Sequence, residues 1–92
     1  MIALIIRSFN WDTNNIEHIA RHNISPDEVE TAFENALFRK GRDGRYLVYG
    51  TTDSGRYLFI VITVSKSGLA RIITARNMVP TEKRYYIKEK GL

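Results

Sequence analysis

From residue 45 onward the chain reads as three runs, RYLVYGTT (45–52), RYLFIVITV (56–64) and LARIITAR (69–76), rich in β-branched and aromatic residues. Only DSG (53–55) and SKSG (65–68) separate them, and connections that short fold consecutive strands back as hairpins. Tyr57 to Val64 is almost continuously apolar, which places the second run centrally in an antiparallel sheet. KGRDGR (40–45), a basic glycine-bearing loop, leads into the first run.

The period differs before residue 37. In WDTNNIEHIARH, Asp12 fits a helix N-cap, and Trp11 and Ile16 have the spacing of a hydrophobic staple. Ile16, Ile19 and Ala20 then form a narrow apolar stripe. In ISPDEVETAFENA, Ser25 and Glu28 make a capping box, Pro26 takes the first helical position, and Ile24 can staple to Val29. Val29, Ala32, Phe33 and Ala36 mark the buried face of this second helix. Asn23 suits a tight junction between two short helices set at an angle. The tail PTEKRYYIKEK reads as a last helix stopped by Gly91. The opening MIALII is too short to span a bilayer and lacks the marks of a signal peptide, so it is read as a strand. The order is β-α-α-β-β-β-α: an α+β fold with an antiparallel sheet, two N-terminal helices and one C-terminal helix.

Ninety-two residues are expected to form one domain, 1–92. The absence of cysteine excludes disulfides, thiolate metal sites and a cysteine nucleophile, and fits a cytoplasmic protein. Charge is unevenly placed. Residues 1–38 carry two basic side chains against six acidic ones, and residues 39–92 carry twelve against four. A basic back joined to an acidic front points to a polyanion partner, with a well-solvated surface as the plain alternative.

RIITAR (71–76) sharpens that reading. Side chains alternate along a strand, so Arg71 groups with Ile73 and Ala75, and Arg76 with Ile72 and Thr74. Without a bulge the two guanidinium groups lie on opposite faces.

The string FNWD…N…HIARHNISPDEVETAF…GRYLVYGTT…GRYLFIVITV…GLARIITARNM…TEKRYY resembles the BrnT family of bacterial toxins over almost the whole chain. Its most specific parts are the Trp-Asp start, the helical His before an Asp-Glu-Val helix, and Arg-Ile-Ile-x-Ala-Arg before a Glu-Lys-Arg-x-Tyr helix. The resemblance implies a RelE-like fold and an endoribonuclease that cuts RNA, inhibiting translation and growth. It also implies neutralisation by a small DNA-binding antitoxin like BrnA, of the ribbon-helix-helix type. The N-terminal apolar run is longer than the family pattern leads one to expect, a candidate edge or homodimer contact.

Metal-independent RNA cleavage needs a base for the 2′-hydroxyl proton, a cation for charge growing on the phosphate oxygens, and an acid for the leaving 5′-oxygen. Arg76 is the first candidate for the cation, its plain alternative being an ion pair with a helix carboxylate such as Glu82. Arg71 is expected at a sheet rim, in a structural pair or on the RNA backbone. Arg45, with Lys40 and Arg42, can hold that backbone, and Arg56 is a weaker candidate beside a turn. His18 and His22 have a metal-chelating spacing but no third ligand in view, so no metal or other cofactor is expected. His22, matching the family's helical histidine, is a candidate for proton transfer, or caps the first helix. Glu82 and Tyr86 are rival acid–base groups on one helix face. Trp11 and the strand tyrosines Tyr46, Tyr49 and Tyr57 are read as packing residues. A second reading keeps the RNA- or antitoxin-binding surface without cleavage, as a co-repressor module.

Overall fold

The computed structural model describes residues 5–92. In chain order it contains β1 (Ser8–Asn10), α1 (Thr13–Ala20), α2 (Pro26–Ala32), a 3-10 turn (Phe33–Asn35), β2 (Leu37–Lys40), β3 (Arg45–Thr51), β4 (Tyr57–Val64), β5 (Leu69–Asn77) and α3 (Pro80–Lys90). The three hairpin-linked runs become β3, β4 and β5 of a five-stranded sheet of order β1-β5-β4-β3-β2, with the apolar β4 in the middle. Because β1 and β2 occupy opposite edges, the chain must cross the sheet between them. The two N-terminal helices make that crossing over one face.

Alternation along β4 separates the two faces. Leu58, Ile60 and Ile62 are fully buried, and the residues between them are half-buried. Ile19 of α1, Ile24, and Val29 and Ala32 of α2 close over Val48, Leu58, Ile60, Ile62, Ala70, Ile72 and Ala75 to form the core. Each large aliphatic side chain buried there contributes about 1.5–3 kcal/mol. The second face carries α3 at one end only. Tyr85 packs on Tyr49 at 5.1 Å between ring centroids, and the buried Tyr86 packs on Tyr57 at 5.9 Å. The Tyr86 hydroxyl donates to the Asn35 carbonyl at 3.1 Å, so this ring serves packing.

The helix starts follow their sequence signals. The Asp12 carboxylate accepts the Asn15 N–H at 2.9 Å, and the Asn15 side chain accepts the Asp12 N–H at 2.8 Å. Ser25 and Glu28 reciprocate in the same way at the start of α2, with Pro26 in its first turn. Asn23 makes the junction with a left-handed φ of 61°, and Gly91 ends α3 with φ 73°.

Four expectations are corrected. Of the strand expected over MIALII, residues 1–4 lie outside the described residues, while Ile5 to Arg7 are not strand and β1 is Ser8–Asn10. It pairs parallel to β5, so the sheet is mixed and not purely antiparallel. The stretch before KGRDGR is itself a strand: β2 pairs antiparallel with β3, and KGRDGR is largely the turn between them. Nothing in the sequence marks β2, because four residues with two charges show no alternation. Ile16 was expected in the buried stripe but is 39% exposed. Asn15 takes the inward place beside Ile19, where its amide also donates to the Asn10 carbonyl at 2.7 Å. Trp11 lies stacked beside Phe9 and donates to Glu30. No helix among the described residues is long and apolar enough to cross a membrane.

Helix α2 approaches β3 most closely at Gly50, where an added Cβ would run into the Ala32 carbonyl oxygen. Backbone on both sides leaves nothing flexible to move. Gly50→Ala is therefore expected to lower stability by about 1–3 kcal/mol, as overpacked cores do. Urea denaturation checks this; an unchanged midpoint would mean α2 can shift off the sheet at no cost.

Candidate functional site

Strand β5 is not regular. Val61 pairs with Thr74 but its neighbour Ile62 pairs with Ile72, so Ile73 is an extra residue, a β-bulge. The bulge reverses the parity argument made from sequence. Arg71 stands opposite Thr63, Thr74 opposite Val61, and Arg76 opposite Phe59. Those three β4 residues share the face turned away from α1 and α2, so both arginines lie on it.

The remaining strands extend this face in register. Arg45 lies opposite Thr63, giving a transverse row Arg45–Thr63–Arg71. The next row is Arg39–Leu47–Val61–Thr74, and the next Leu37–Tyr49–Phe59–Arg76. At about 4.8 Å per strand, Arg45 and Arg71 flank Thr63 with about 10 Å between their Cα atoms. The floor of Thr63, Val61 and Leu47 is low, and four guanidinium groups ring it. Helix α3 covers the third row, with Tyr85 on Tyr49 and Glu82 on Arg76, and touches the second row only at Arg39.

The arginines differ in what holds them. Arg76 gives both terminal nitrogens to Glu82, Nη1 to Oε1 and Nη2 to Oε2, each at 2.8 Å. Its guanidinium also lies 4.4 Å from the centre of the Phe59 ring. Arg71 donates Nη1 to Asp12 Oδ2 at 2.6 Å. Their side chains remain 36% and 38% exposed, so neither is sealed beneath a helix. Arg39 rests over the Tyr85 ring at 4.7 Å. Neither Arg39 nor Arg45 has a carboxylate partner among the described residues.

These pairs set the local protonation. Burial pushes the Glu82 carboxyl up, but the Arg76 hydrogen bonds and the Val79 N–H outweigh it and hold the group below the usual glutamate value of 4.5. The Arg76 guanidinium is pushed up, chiefly by its hydrogen bonds to Glu82. The Asn15 N–H, then Arg71, holds Asp12 below 3.8. At Glu28, burial raises the carboxyl, and the Ser25 N–H and Arg56 together bring it below 4.5.

Other residues singled out from the sequence lie elsewhere. Arg56 donates to the Asn23 carbonyl, Glu28 and Asn77, tying the helix junction and α2 to the end of β5. Lys40 is in register with Tyr46, whose side chain packs against the helix-side core, while Arg42 sits exposed in the β2–β3 turn. His22 is exposed just past α1, where its N–H caps the Ile19 carbonyl at 3.0 Å. Two residues had no role assigned from sequence. Arg39 joins the open face because β2 exists. His18 places Nε2 3.1 Å from Thr74 Oγ1, at the part of β5 that β1 does not reach. Its signal in sequence was only its place four before His22. Among the described residues no group of three or more His, Asp or Glu side chains gathers as metal ligands, so the two histidines stand as a pair.

A family model described as ribonuclease toxin, BrnT, of type II toxin-antitoxin system matches residues 11–82, which take in every strand of the sheet but β1. Among solved structures, the ribonuclease toxin BrnT of Brucella abortus superposes with a TM-score of 0.68 at 18% identity. The match covers 78% of this chain and 96% of that one, a likeness of fold. No curated protein matches the chain.

Carboxyls held low in the folded state stabilise it above their unfolded values and lose that contribution as the pH falls through the lowered ones. Stability is therefore expected to decline as the pH drops below 4.5, the unfolded value of Glu28 and Glu82, and on through their lowered folded values. Glu82→Gln should cost about 1 kcal/mol at neutral pH, discounted for the half-exposed Arg76, and flatten part of that decline. Denaturation midpoints between pH 3 and pH 7, on the order of the range that linkage covers, test it. An equally steep loss in Glu82→Gln would show that the pair carries none of the acid sensitivity.

Proposed function

Because the chain belongs to the BrnT family of ribonuclease toxins of type II toxin–antitoxin systems, we propose that it is a metal-independent endoribonuclease whose RNA lies across the open face of the sheet. The single observation that carries this reading is the bulge at Ile73, which gathers Arg71 and Arg76 on one face with Arg45 and Arg39. An extended polyphosphate chain needs fixed positive charge at intervals over a surface low enough to approach. The floor of Leu47, Val61 and Thr63 supplies the second condition and the four arginines the first.

Arg39 and Arg45 anchor the backbone as free-ended cations. Arg71 and Arg76, pre-oriented by carboxylates, bind the oxygens of the phosphates nearer the reaction. The internal 2′-hydroxyl is the nucleophile, so the products are a 2′,3′-cyclic phosphate and a 5′-hydroxyl. Glu82 is a poor base while both its oxygens sit on Arg76 and it is held in its ionised form below 4.5. Its role here is to orient. Cutting RNA in this way inhibits translation and growth. A BrnA-like antitoxin, carrying an acidic or amphipathic segment, neutralises the protein by covering the same Arg45/Arg76 side.

One observation favours the second reading, a binding or co-repressor module without cleavage. Arg76 already spends three of its five N–H donors, two on Glu82 and one on the Asn77 carbonyl, so a phosphate meets both terminal nitrogens already engaged.

Purified antitoxin-free protein incubated with RNA under chelation separates the two. Cyclic-phosphate ends are expected, with Arg76→Ala slowing cleavage by about 10²-fold, the usual effect of removing one charge-stabilising donor. Arg45→Ala should weaken RNA binding and lower the salt slope of its affinity by about 0.7, one phosphate contact to a single strand. RNA left intact but bound would establish the module instead. Hydrogen exchange of the antitoxin complex should show new protection along β3 and β5; protection confined to α1 and α2 would place the antitoxin elsewhere.

A further inference from the structure

The bulge that brings the two arginines together also opens a small cleft between β5 and α1. Its volume is about 210 Å³ and its walls are Asn14, Asn15, His18, Arg71, Ile72 and Ile73. An imidazole and a guanidinium thus face one space together with two amides, and no carboxylate lines it. Among the described residues the acid paired with Arg71 is Asp12. One of its oxygens holds Arg71 Nη1 and the other accepts the Asn15 N–H, so its charge fixes Arg71 in place. Unlike the fork of Arg76, that of Arg71 keeps Nη2 and Nε without a hydrogen-bond partner among the described residues. Across the cleft, His18 Nε2 already meets a hydroxyl, Thr74 Oγ1 at 3.1 Å.

We propose that this cleft takes the scissile phosphodiester of the RNA, with Arg71 on its non-bridging oxygens and His18 as the base that removes the 2′-hydroxyl proton. The assignment rests on the ribonuclease reading above and locates its chemistry at the Arg71 end of the face. A ribose hydroxyl takes the place that Thr74 Oγ1 holds at Nε2. The O2′–P bond forms as the P–O5′ bond breaks. The proton from O2′ passes to Nε2, and O5′ leaves with a proton from solvent. The imidazolium then returns its proton to solvent, so no water is consumed and nothing is oxidised or reduced. Asp12 acts through Arg71 and is a positioning residue. The charged or titratable groups around His18 are Arg71 and, two residues beyond Thr74, Arg76 from the strand side, and Asp12, Glu17 and His22 from its own helix segment. The His22 ring centre lies 6.2 Å from that of His18.

The test is single-turnover cleavage of RNA under chelation by wild-type, His18→Asn and His18→Ala proteins, with RNA affinity and melting temperature measured beside it. Asparagine keeps a hydrogen-bonding partner for Thr74, so this variant is expected to fold and to bind RNA within about twofold of wild type. Its cleavage should fall by about 10²–10⁴-fold, the range of general base catalysis. The acid limb of the pH–rate profile should vanish, and added imidazole should restore part of the rate to His18→Ala. If wild type cleaves and His18→Asn matches its rate and pH profile, the base lies elsewhere and this inference fails while the ribonuclease reading stands. A loss of rate that leaves the acid limb in place and resists imidazole rescue would make His18 structural and overturn it equally. Intact RNA with wild-type protein would remove both.

Discussion

Buried side chains along β5 fall at Ala70, Ile72 and Ala75, so their spacing changes from two residues to three. A regular strand would turn Ala75 away from the helices and leave a gap opposite Ile60. The extra residue at Ile73 corrects this, setting Ala75 against Ile60 and back into the core. The same step carries Arg76 across to the side of Arg71. Core packing and the basic face are therefore two consequences of one backbone irregularity. Neither can be altered without the other, which is why bulges persist where a strand must both pack and present a side chain.

Two of the four arginines on that face are already paired with acids, and this bears on how tightly they are held. Partly exposed pairs of this kind contribute at most about 1 kcal/mol, since solvent screens them and both side chains lose freedom. A phosphate offers a guanidinium the same planar fit as a carboxylate. Exchange of Glu82 for an RNA oxygen is thus close to balanced at one site, and contacts at Arg39 and Arg45, which displace no acid, tip it. The carboxylates keep the forks aimed at the open face in the meantime, so little side-chain order remains to be gained on binding.

Much of this architecture was legible in the chain. Ser25–Pro26–Glu28 and Asp12 start their helices where the capping rules say, because caps are local and their hydrogen bonds join residues three apart. The hairpins and the central place of Tyr57–Val64 follow from loop length and apolar content. What was not legible depends on contacts distant in sequence. Ile73 is bulged because Ala75 must meet Ile60 and α1, and no pattern within RIITAR announces that. β2 is a strand only because β3 offers it a partner. The parallel pairing of β1 needs β5, some sixty residues later, on the order of the separations that local pattern never reads. His18 carries no local mark of its role for the same reason: its partner Thr74 lies 56 positions away. Arg56 looked like a turn-side cation until α2 and Asn77 closed around it.

The split in charge seen in sequence acquires a direction once the chain is folded. Four exposed acids, Glu17, Asp27, Glu30 and Glu34, lie in the two N-terminal helices or the turn that follows, which cover one face of the sheet; the other three, Asp43, Asp53 and Glu89, sit in the strand turns and at the end of α3. The free-ended arginines lie on the other face. A net charge of +4 understates what an approaching polyanion meets. Within about 8 Å, the screening length at physiological salt, it is repelled by the helix layer and drawn to the open face. Steering of this kind orients the encounter before any contact forms and raises its rate. It acts on any negatively charged chain, so an acidic inhibitor segment and RNA are guided to the same surface. Competition for that surface then follows from the field of the protein, with no conformational switch required.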